Sequence, residues 1–252
     1  MKTQFKIFLT ALMFYTRFPI KNINGWNEEM LNKSTRYFTL IGILVGAVGA
    51  AVFFAATHLF PLQIAVALSL AATIFFTGAF HEDGFADFCD GFGGGSSPLK
   101  ILEIMKDSRI GTYGSVGLIL ILGIKFLALS NFPASQIPLL LIAGHAASRM
   151  FPVLLIYSSQ YVRIDLKSKV KPIGHADSIY SLLFALLVGA TPLFFISWKI
   201  ALIALTVLSV AFLVFQNYVN RKLGGYTGDV LGALQQLSEL FFYLSVLAFQ
   251  TI

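Results

Sequence analysis

Four carboxylates, Glu82, Asp83, Asp87 and Asp90, fall within the stretch "FHEDGFADFCDGFGGG" (Phe80 to Gly95), directly after a long apolar run. The three aspartates are spaced by four and then three, which sets them on one face of a helix within a turn or two. Three like charges on one face repel, so a helix gains nothing from them alone, and a bound divalent cation removes the repulsion. Oxygen donors at this density suit Mg²⁺ or Mn²⁺ rather than zinc. Mg²⁺ commonly takes one or two carboxylates and completes its shell with substrate phosphate oxygens and water. Asp83, Asp87 and Asp90 are therefore expected to hold Mg²⁺. The glycines that follow, Gly93 and Gly94 among them, allow close backbone approach and offer N–H groups to phosphate oxygens. His81 is a candidate base or ligand, although a lone interfacial histidine more often only hydrogen bonds. Cys89 lies on a different face and reads as packing. The competing account of the whole stretch is a solvated acidic loop between two spans.

A second segment, "LEIMKDSRIGTYGSVG" (Leu102 to Gly117), carries Lys106, Asp107 and Arg109 just before an apolar run. Arg109 suits bidentate phosphate contact and Lys106 a point-charge contact, while Asp107 is placed to complete a metal shell. The plainer reading is a juxtamembrane charged turn. Gly111, Gly114 and Gly117 recur every third residue, a pattern of close helix packing. In a third segment, "RKLGGYTGDVLGALQQLSEL" (Arg221 to Leu240), Asp229 sits beside Thr227 and three glycines, with Glu239 ten residues on; its plainer reading is a flexible loop and helix cap. Arg149 follows His145 by one turn inside an apolar run, and an ionisable residue there is a functional candidate by default. It is expected to bind an anionic substrate, to pair with an aspartate, or to form a structural salt bridge. Lys125, also inside a run, receives no role. The basic loop "VRIDLKSKVKPIG" (Val162 to Gly174) attracts anionic lipid heads or a polyanionic substrate.

These groups need elements to hold them, and the composition dictates which. Of the 252 residues 57% are hydrophobic and 12% charged, about half the charged fraction of soluble domains. Continuous apolar runs without period-two alternation make spanning helices, since lipid leaves no other partner for backbone polar groups. The expected fold is an all-α, polytopic transmembrane bundle of about seven spans in one domain, residues 1–252. The spans run Tyr37 to Phe60, Leu62 to Phe80, Thr112 to Ser130, Gln136 to Ser158, Ser178 to Ser197, Lys199 to Asn217, and about Leu234 to Ile252. Pro152 and Pro192 fall inside spans as sources of kinks. The N-terminal stretch lacks a small-residue cleavage pattern and reads as an interfacial or re-entrant helix that closes over a site. One cysteine excludes an internal disulfide. Placing the N-terminal segment in the cytoplasm puts fifteen of the 18 Lys and Arg on one side, with Lys199 opposite and Lys125 and Arg149 within spans. All twelve acids sort to the same side, counting Glu239 at the start of the last span. The net charge of +6 thus reflects a bilayer partner rather than nucleic acid. Self-association is left open.

Together "HEDGFADFCDGFGGG", "EIMKDSRIGTYG" and "GGYTGDVLGA", in this order, resemble the cobalamin synthase (adenosylcobinamide-GDP ribazoletransferase) family over most of the chain. The resemblance implies a multi-pass inner-membrane enzyme with a cytoplasmic active site. It implies Mg²⁺-dependent joining of adenosylcobinamide-GDP to α-ribazole or its 5′-phosphate, with release of GMP. Residue by residue it puts the metal on Asp83, Asp87, Asp90 and Asp107, and catalysis on Asp90, Asp229 and Arg109, with the base left between Asp90 and Asp229. From the residues themselves, substrate binding is expected on His81, Gly93, Gly94, Lys106, Arg109 and Arg149. Relatives often carry glutamate where this chain has Gln236, which leaves Glu239 as the nearby carboxylate. Two rivals stand beside this reading. A CDP-alcohol phosphotransferase shares the aspartate logic, but its spacing and its Ala-Arg pair are missing here. A cation transporter predicts acids near the bilayer midplane, whereas these gather at one edge.

Overall fold

The computed structural model describes residues 2–20, 23, 25–162 and 176–251. Of the basic loop only Val162 is among them, so Arg163, Lys167, Lys169 and Lys171 lie outside the described residues, as does Lys21. The helices are α1 (Lys2–Tyr15), α2 (Glu28–Ser34), α3 (Phe38–Thr57), α4 (Leu62–Thr77), α5 (Phe80–Gly94), α6 (Pro98–Ile104), α7 (Thr112–Ser130), α8 (Ile137–Ser148), α9 (Met150–Ser158), α10 (Ile179–Ile196), α11 (Trp198–Leu223) and α12 (Gly228–Thr251). A 3₁₀ turn, Thr35–Tyr37, joins α2 to α3. The only β pairing among the described residues is an isolated bridge between Tyr161 and Tyr226.

Six helical runs are long and apolar enough to cross a membrane, and a seventh if the bent pair α4–α5 is one span. This is a multi-pass membrane protein with an all-α bundle, as the apolar runs require. α8–α9 and α12 are mostly buried at its centre, whereas α7, α10 and α11 leave most of their surface outward. That surface is apolar, with Ile119, Leu127, Leu187, Val210 and Leu213 exposed, which suits lipid rather than water. α1 is ~21 Å long, too short to span. It buries Ile7, Ala11 and Tyr15 against the bundle, with the Tyr15 ring 4.3 Å from that of Phe38.

Two span boundaries differ from expectation. α11 runs on to Leu223, where Gly224 adopts a left-handed φ of 82°. α12 begins at Gly228 rather than Leu234, so Glu239 lies ~16 Å along the helix and not at its start. The loop before α12 is pinned: Tyr226 N–H donates to the Gln160 oxygen at 2.8 Å, and Val162 N–H to the Tyr226 oxygen at 3.0 Å. The break between α8 and α9 at Arg149 falls three residues before Pro152. Proline has no N–H for the carbonyl four residues back and its ring crowds that oxygen. Pro192 leaves α10 continuous.

α3 approaches α8 backbone to backbone through glycines. A Cβ on Gly42 would sit 2.3 Å from the His145 oxygen, and one on Gly46 2.5 Å from the Ile142 Cα. Small residues at such crossings substitute van der Waals packing for the hydrophobic drive that lipid removes. Gly46→Leu should therefore part α3 from α8 and cost about 2 kcal/mol or more, lowering the thermal midpoint in detergent. Gly123 meets nothing within 4 Å, so Gly123→Leu should leave it within a few degrees. Equal midpoints for the two variants would refute the packing argument.

Candidate active site

α4 cannot simply continue, because the next residues carry His81, Glu82, Asp83, Asp87 and Asp90. The chain turns by 89° between α4 and α5. Gly78 and Ala79 both take left-handed backbone, at φ 69° and 57°, the second at the usual cost for a residue with a Cβ. Their N–H groups close onto the Phe75 and Ile74 oxygens at 3.1 and 2.8 Å. The segment after α1 braces the corner: Arg17 N–H donates to the Phe76 oxygen at 2.8 Å, and the Arg17 side chain fills the space a Cβ on Gly78 would need. α5 then lies across the ends of three spans. Gly84 meets the first turn of α12, Asp90 the start of α7, and Phe88 and Phe92 stack on Phe215 and Tyr218 near the end of α11.

The α5–α12 crossing assembles the acidic part of the site. A Cβ on Gly84 would lie 3.1 Å from the Asp229 Cα, and one on Gly232 would lie 3.2 Å from the His81 oxygen. Asp229, in the first turn of α12, is thereby seated beside the residue that Asp83 and Asp87 flank. Asp83 is exposed, and Asp87 and Asp229 are half-buried. The expected helix is present, and within it Asp90 also ties α5 to the start of α7. Its carboxylate accepts the Gly111 N–H at 2.7 Å and the Gly114 N–H at 2.9 Å, one on each oxygen. These are donors that the first turn of α7 leaves unsatisfied, so Asp90 caps α7 from outside. Gly111 and Gly114 must be glycine for this approach, since a Cβ on either would lie 2.4 Å from that carboxylate. Gly117 packs on Cys89; the packing readings of Cys89 and of the glycine series hold.

The glycine run needs correction. Gly91 to Gly94 continue α5, so the N–H groups of Gly93 and Gly94 are committed to helix hydrogen bonds and form no phosphate nest. The small residues instead admit α6 and Tyr113. A Cβ would meet Met105 at 2.5 Å from Gly91, Tyr113 at 2.6 Å from Gly93, and Ile104 at 3.4 Å from Gly94.

Lys106, Asp107 and Arg109 share an open cleft with Asp90, Gly94 and Tyr113. Arg109 grips Asp107 with two nitrogens, Nε at 3.0 Å and Nη2 at 2.7 Å. Those hydrogen bonds hold the Asp107 carboxyl down at about 2. A depressed pKa keeps the pair intact above that value, so it persists at neutral pH and is lost only as pH falls towards 2. The Arg109 side chain is 87% exposed, and an ion pair so placed is held weakly against water and competing anions.

His81 and Arg149 are not at the open surface. Both are buried, and both approach Phe38: His81 stacks on it at 5.6 Å and Arg149 lies 5.3 Å from its centroid. Arg149 Nη1 donates to the His145 oxygen at 2.8 Å. The sequence reading missed the polar core beside them. Lys125 Nζ donates to Gln236 Oε1 at 2.7 Å and pairs with Glu239 Oε2 at 3.2 Å. Gln235 Nε2 donates to Glu239 at 2.9 Å and to Ser148 Oγ at 3.0 Å, while Gln236 Nε2 donates to Glu82 Oε1 at 3.0 Å. Glu239 is thus a mid-span partner of Lys125 and no part of the Asp229 cluster.

The donors fit a hard dication in kind, being carboxylate oxygens on α5 with a further one across on α12. Among the described residues, however, no three His, Cys, Asp or Glu side chains are gathered closely enough to hold an ion by themselves.

The fold and site define a multi-pass membrane enzyme whose carboxylates and phosphate-suited cations meet where α5 crosses the ends of the bundle. A family model described as cobalamin-5-phosphate synthase matches residues 7–248. Several relatives carry the name adenosylcobinamide-GDP ribazoletransferase. That of Shewanella amazonensis is 42% identical over 250 residues, covering 98% of this chain and 96% of its own. Those of Shewanella frigidimarina and Vibrio cholerae (strain O395) are each 40% identical, over 97% and 99% of this chain and 95% and 96% of theirs. No solved structure matches. The chain belongs to the cobalamin-5-phosphate synthase family and is a transferase of cobalamin biosynthesis. That membership sets aside the CDP-alcohol phosphotransferase and cation transporter readings.

Two predictions follow from the hydrogen bonds. Asp90→Ala strips the cap from α7 and should cost about 1 kcal/mol, with Asp90→Asn, which keeps one acceptor, intermediate in thermal midpoint; a midpoint for Asp90→Ala equal to wild type would refute the cap. Lys125→Met takes the lysine from buried Glu239, which keeps only its contacts with Gln235, Tyr243 and His145, and should cost up to about 3 kcal/mol. Adding Glu239→Gln should recover most of that loss, and an additive double variant would show that the two residues do not interact.

Proposed function

We propose that this chain is an adenosylcobinamide-GDP ribazoletransferase: it joins adenosylcobinamide-GDP to α-ribazole, or its 5′-phosphate, and releases GMP, at the cytoplasmic face of the membrane. The observation that carries this reading is the seating of the Asp229 backbone on Gly84, which brings the first turn of α12 against the stretch of α5 that carries Asp83 and Asp87. The reaction forms a bond between a ribazole hydroxyl oxygen and the phosphorus attached to the cobinamide aminopropanol. It breaks the bond from that phosphorus to the GMP oxygen, and the hydroxyl proton passes to a base.

Asp83 and Asp87 are the residues that would hold Mg²⁺, leaving its other positions to phosphate oxygens and water. When bound, the ion supplies charge neutralisation for the diphosphate and the departing GMP. Lys106 and Arg109 take further phosphate charge from their cleft, Arg109 by releasing Asp107. Asp107 is then a restraint on Arg109, in place of the metal role first expected for it. Asp229 is the base. Asp90 is less suited to the proton, since each of its oxygens already accepts a backbone N–H. The surplus of cations on the same side as these groups supports a cytoplasmic active site.

Purified protein in lipid vesicles tests the proposal, with GMP and corrinoid products separated chromatographically. Turnover should require both substrates, stop on chelation of divalent ions and return with Mg²⁺. Asp83→Asn and Asp87→Asn should each lower activity at least ~100-fold at limiting Mg²⁺, in line with losses seen when metal-site groups are altered. Normal rates at limiting Mg²⁺ would remove these residues from the metal role. Asp229→Asn should lower kcat while leaving KM for the corrinoid near its wild-type value.

A further inference from the structure

A second cavity opens beside Asp229 and differs in character from the polar cleft. It encloses about 580 Å³ including its mouth, and its walls are almost wholly apolar. Phe14 and Tyr15 of α1, Phe38 of α3 and Phe80 of α5 supply aromatic rings, with Val153 and Ile156 of α9 opposite. Gly228, adjoining Asp229, and Gly232, which packs against His81 and Gly84, form the wall nearest the carboxylates. One polar group stands out in the lining: His81 is buried and its Nε2 has no hydrogen-bond partner in the protein. A buried imidazole nitrogen without a partner costs stability unless a ligand completes it.

We infer that this cavity takes the flat heteroaromatic base of the acceptor nucleoside, with His81 Nε2 hydrogen bonding to the ring nitrogen that carries no sugar. The inference rests on the ribazoletransferase reading for the identity of the acceptor. Three features select that occupant. The enclosed space is far too small for a corrin macrocycle. The lining offers little to the several donors and acceptors on the edge of a guanine, which would be left unpaired there, whereas a benzimidazole presents two apolar faces and one ring nitrogen. Finally, a base held here extends its ribose past Gly228 towards Asp229, where the reacting hydroxyl must give up its proton. α1 thereby acquires a purpose as one wall of the acceptor pocket.

The test uses full-length protein in lipid vesicles and has two independent readouts. Free benzimidazole should bind saturably to wild type by calorimetry, without any turnover, and Ile156→Phe, which fills the cavity, should weaken that binding at least tenfold. In steady-state GMP release the same variant should raise KM for α-ribazole at least tenfold while KM for adenosylcobinamide-GDP stays within twofold. Val153→Leu, a milder filling, should move both readouts in the same direction if Ile156→Phe does not fold. His81→Phe should weaken benzimidazole binding while its thermal midpoint does not fall, since it removes an unpartnered group. Absent benzimidazole binding, binding that the filling variants leave unchanged, or a lipid chain that saturating benzimidazole fails to displace would each overturn the inference. Wild-type protein that binds benzimidazole but releases no GMP would instead overturn the functional reading and leave the pocket standing.

Discussion

A helix bearing four carboxylates cannot continue through hydrocarbon, and this constraint shapes the molecule. The apolar run of α4 leads straight into His81–Asp90, so the chain must leave the membrane direction within two residues. Gly78 and Ala79 do this by adopting left-handed backbone in succession, with the corner braced by the chain after α1. The strain at Ala79 is local, whereas a row of unpaired acids in lipid would cost far more. Once turned, α5 rests on the ends of α7, α11 and α12, and each contact settles the role of a different acid. Gly84 admits Asp229, Asp90 closes the open end of α7, and Glu82 reaches inward to Gln236.

That inward reach joins the surface site to the bundle core. Lys125 on α7 and Glu239 on α12 form an ion pair within the spans, and the Gln235–Gln236 pair distributes its hydrogen bonds to Ser148 on α8 and Glu82 on α5. Four helices are thus tied by one polar network, whose charges are tolerated because they are paired and hydrogen bonded. Gln236 suits its place because an amide both accepts from Lys125 and donates to Glu82; an ionised glutamate there would accept from the lysine but face Glu82 with a second carboxylate. Gln236 therefore sets the wiring of the core and leaves the aspartates of the site untouched.

Much of this was legible from local pattern. Helical spacing put Asp83, Asp87 and Asp90 on one helix, the triplet spacing of Gly111, Gly114 and Gly117 announced close packing, and apolar run lengths located most spans within a few residues. What was not legible depended on partners distant in the chain. Lys125 and Gln236 are 111 positions apart, so nothing near either residue signals the bond. The start of α12 was hidden because "GGYTGDVLGALQQ" is glycine-rich and polar, which reads as loop; Gly232 is there for the crossing with α5, a reason visible only once α5 is in place. The glycines after Asp90 misled in the same way, since a run of glycine marks a close approach without saying whether ligand or protein approaches. Here α6 and Tyr113 do.

Three aspartates equivalent by spacing have thus been made unequal by their neighbours. Asp90 already accepts two backbone N–H groups of α7, and on the proposed reading Asp83 and Asp87 supply the one or two carboxylates that Mg²⁺ ordinarily takes from protein when phosphate oxygens supply the rest. This gives a physical reason why no preformed three-acid site is present among the described residues: on the proposed reading the diphosphate is itself part of the coordination shell, so ion and donor substrate complete the site together. The Arg109–Asp107 pair is arranged on the same principle. At rest the guanidinium is neutralised by a partner it holds only at the surface, and a phosphate that displaces Asp107 gains Arg109 in a bidentate geometry. The basic half of the site is balanced without substrate by the Arg109–Asp107 pair, and on the proposed reading the same diphosphate completes both halves.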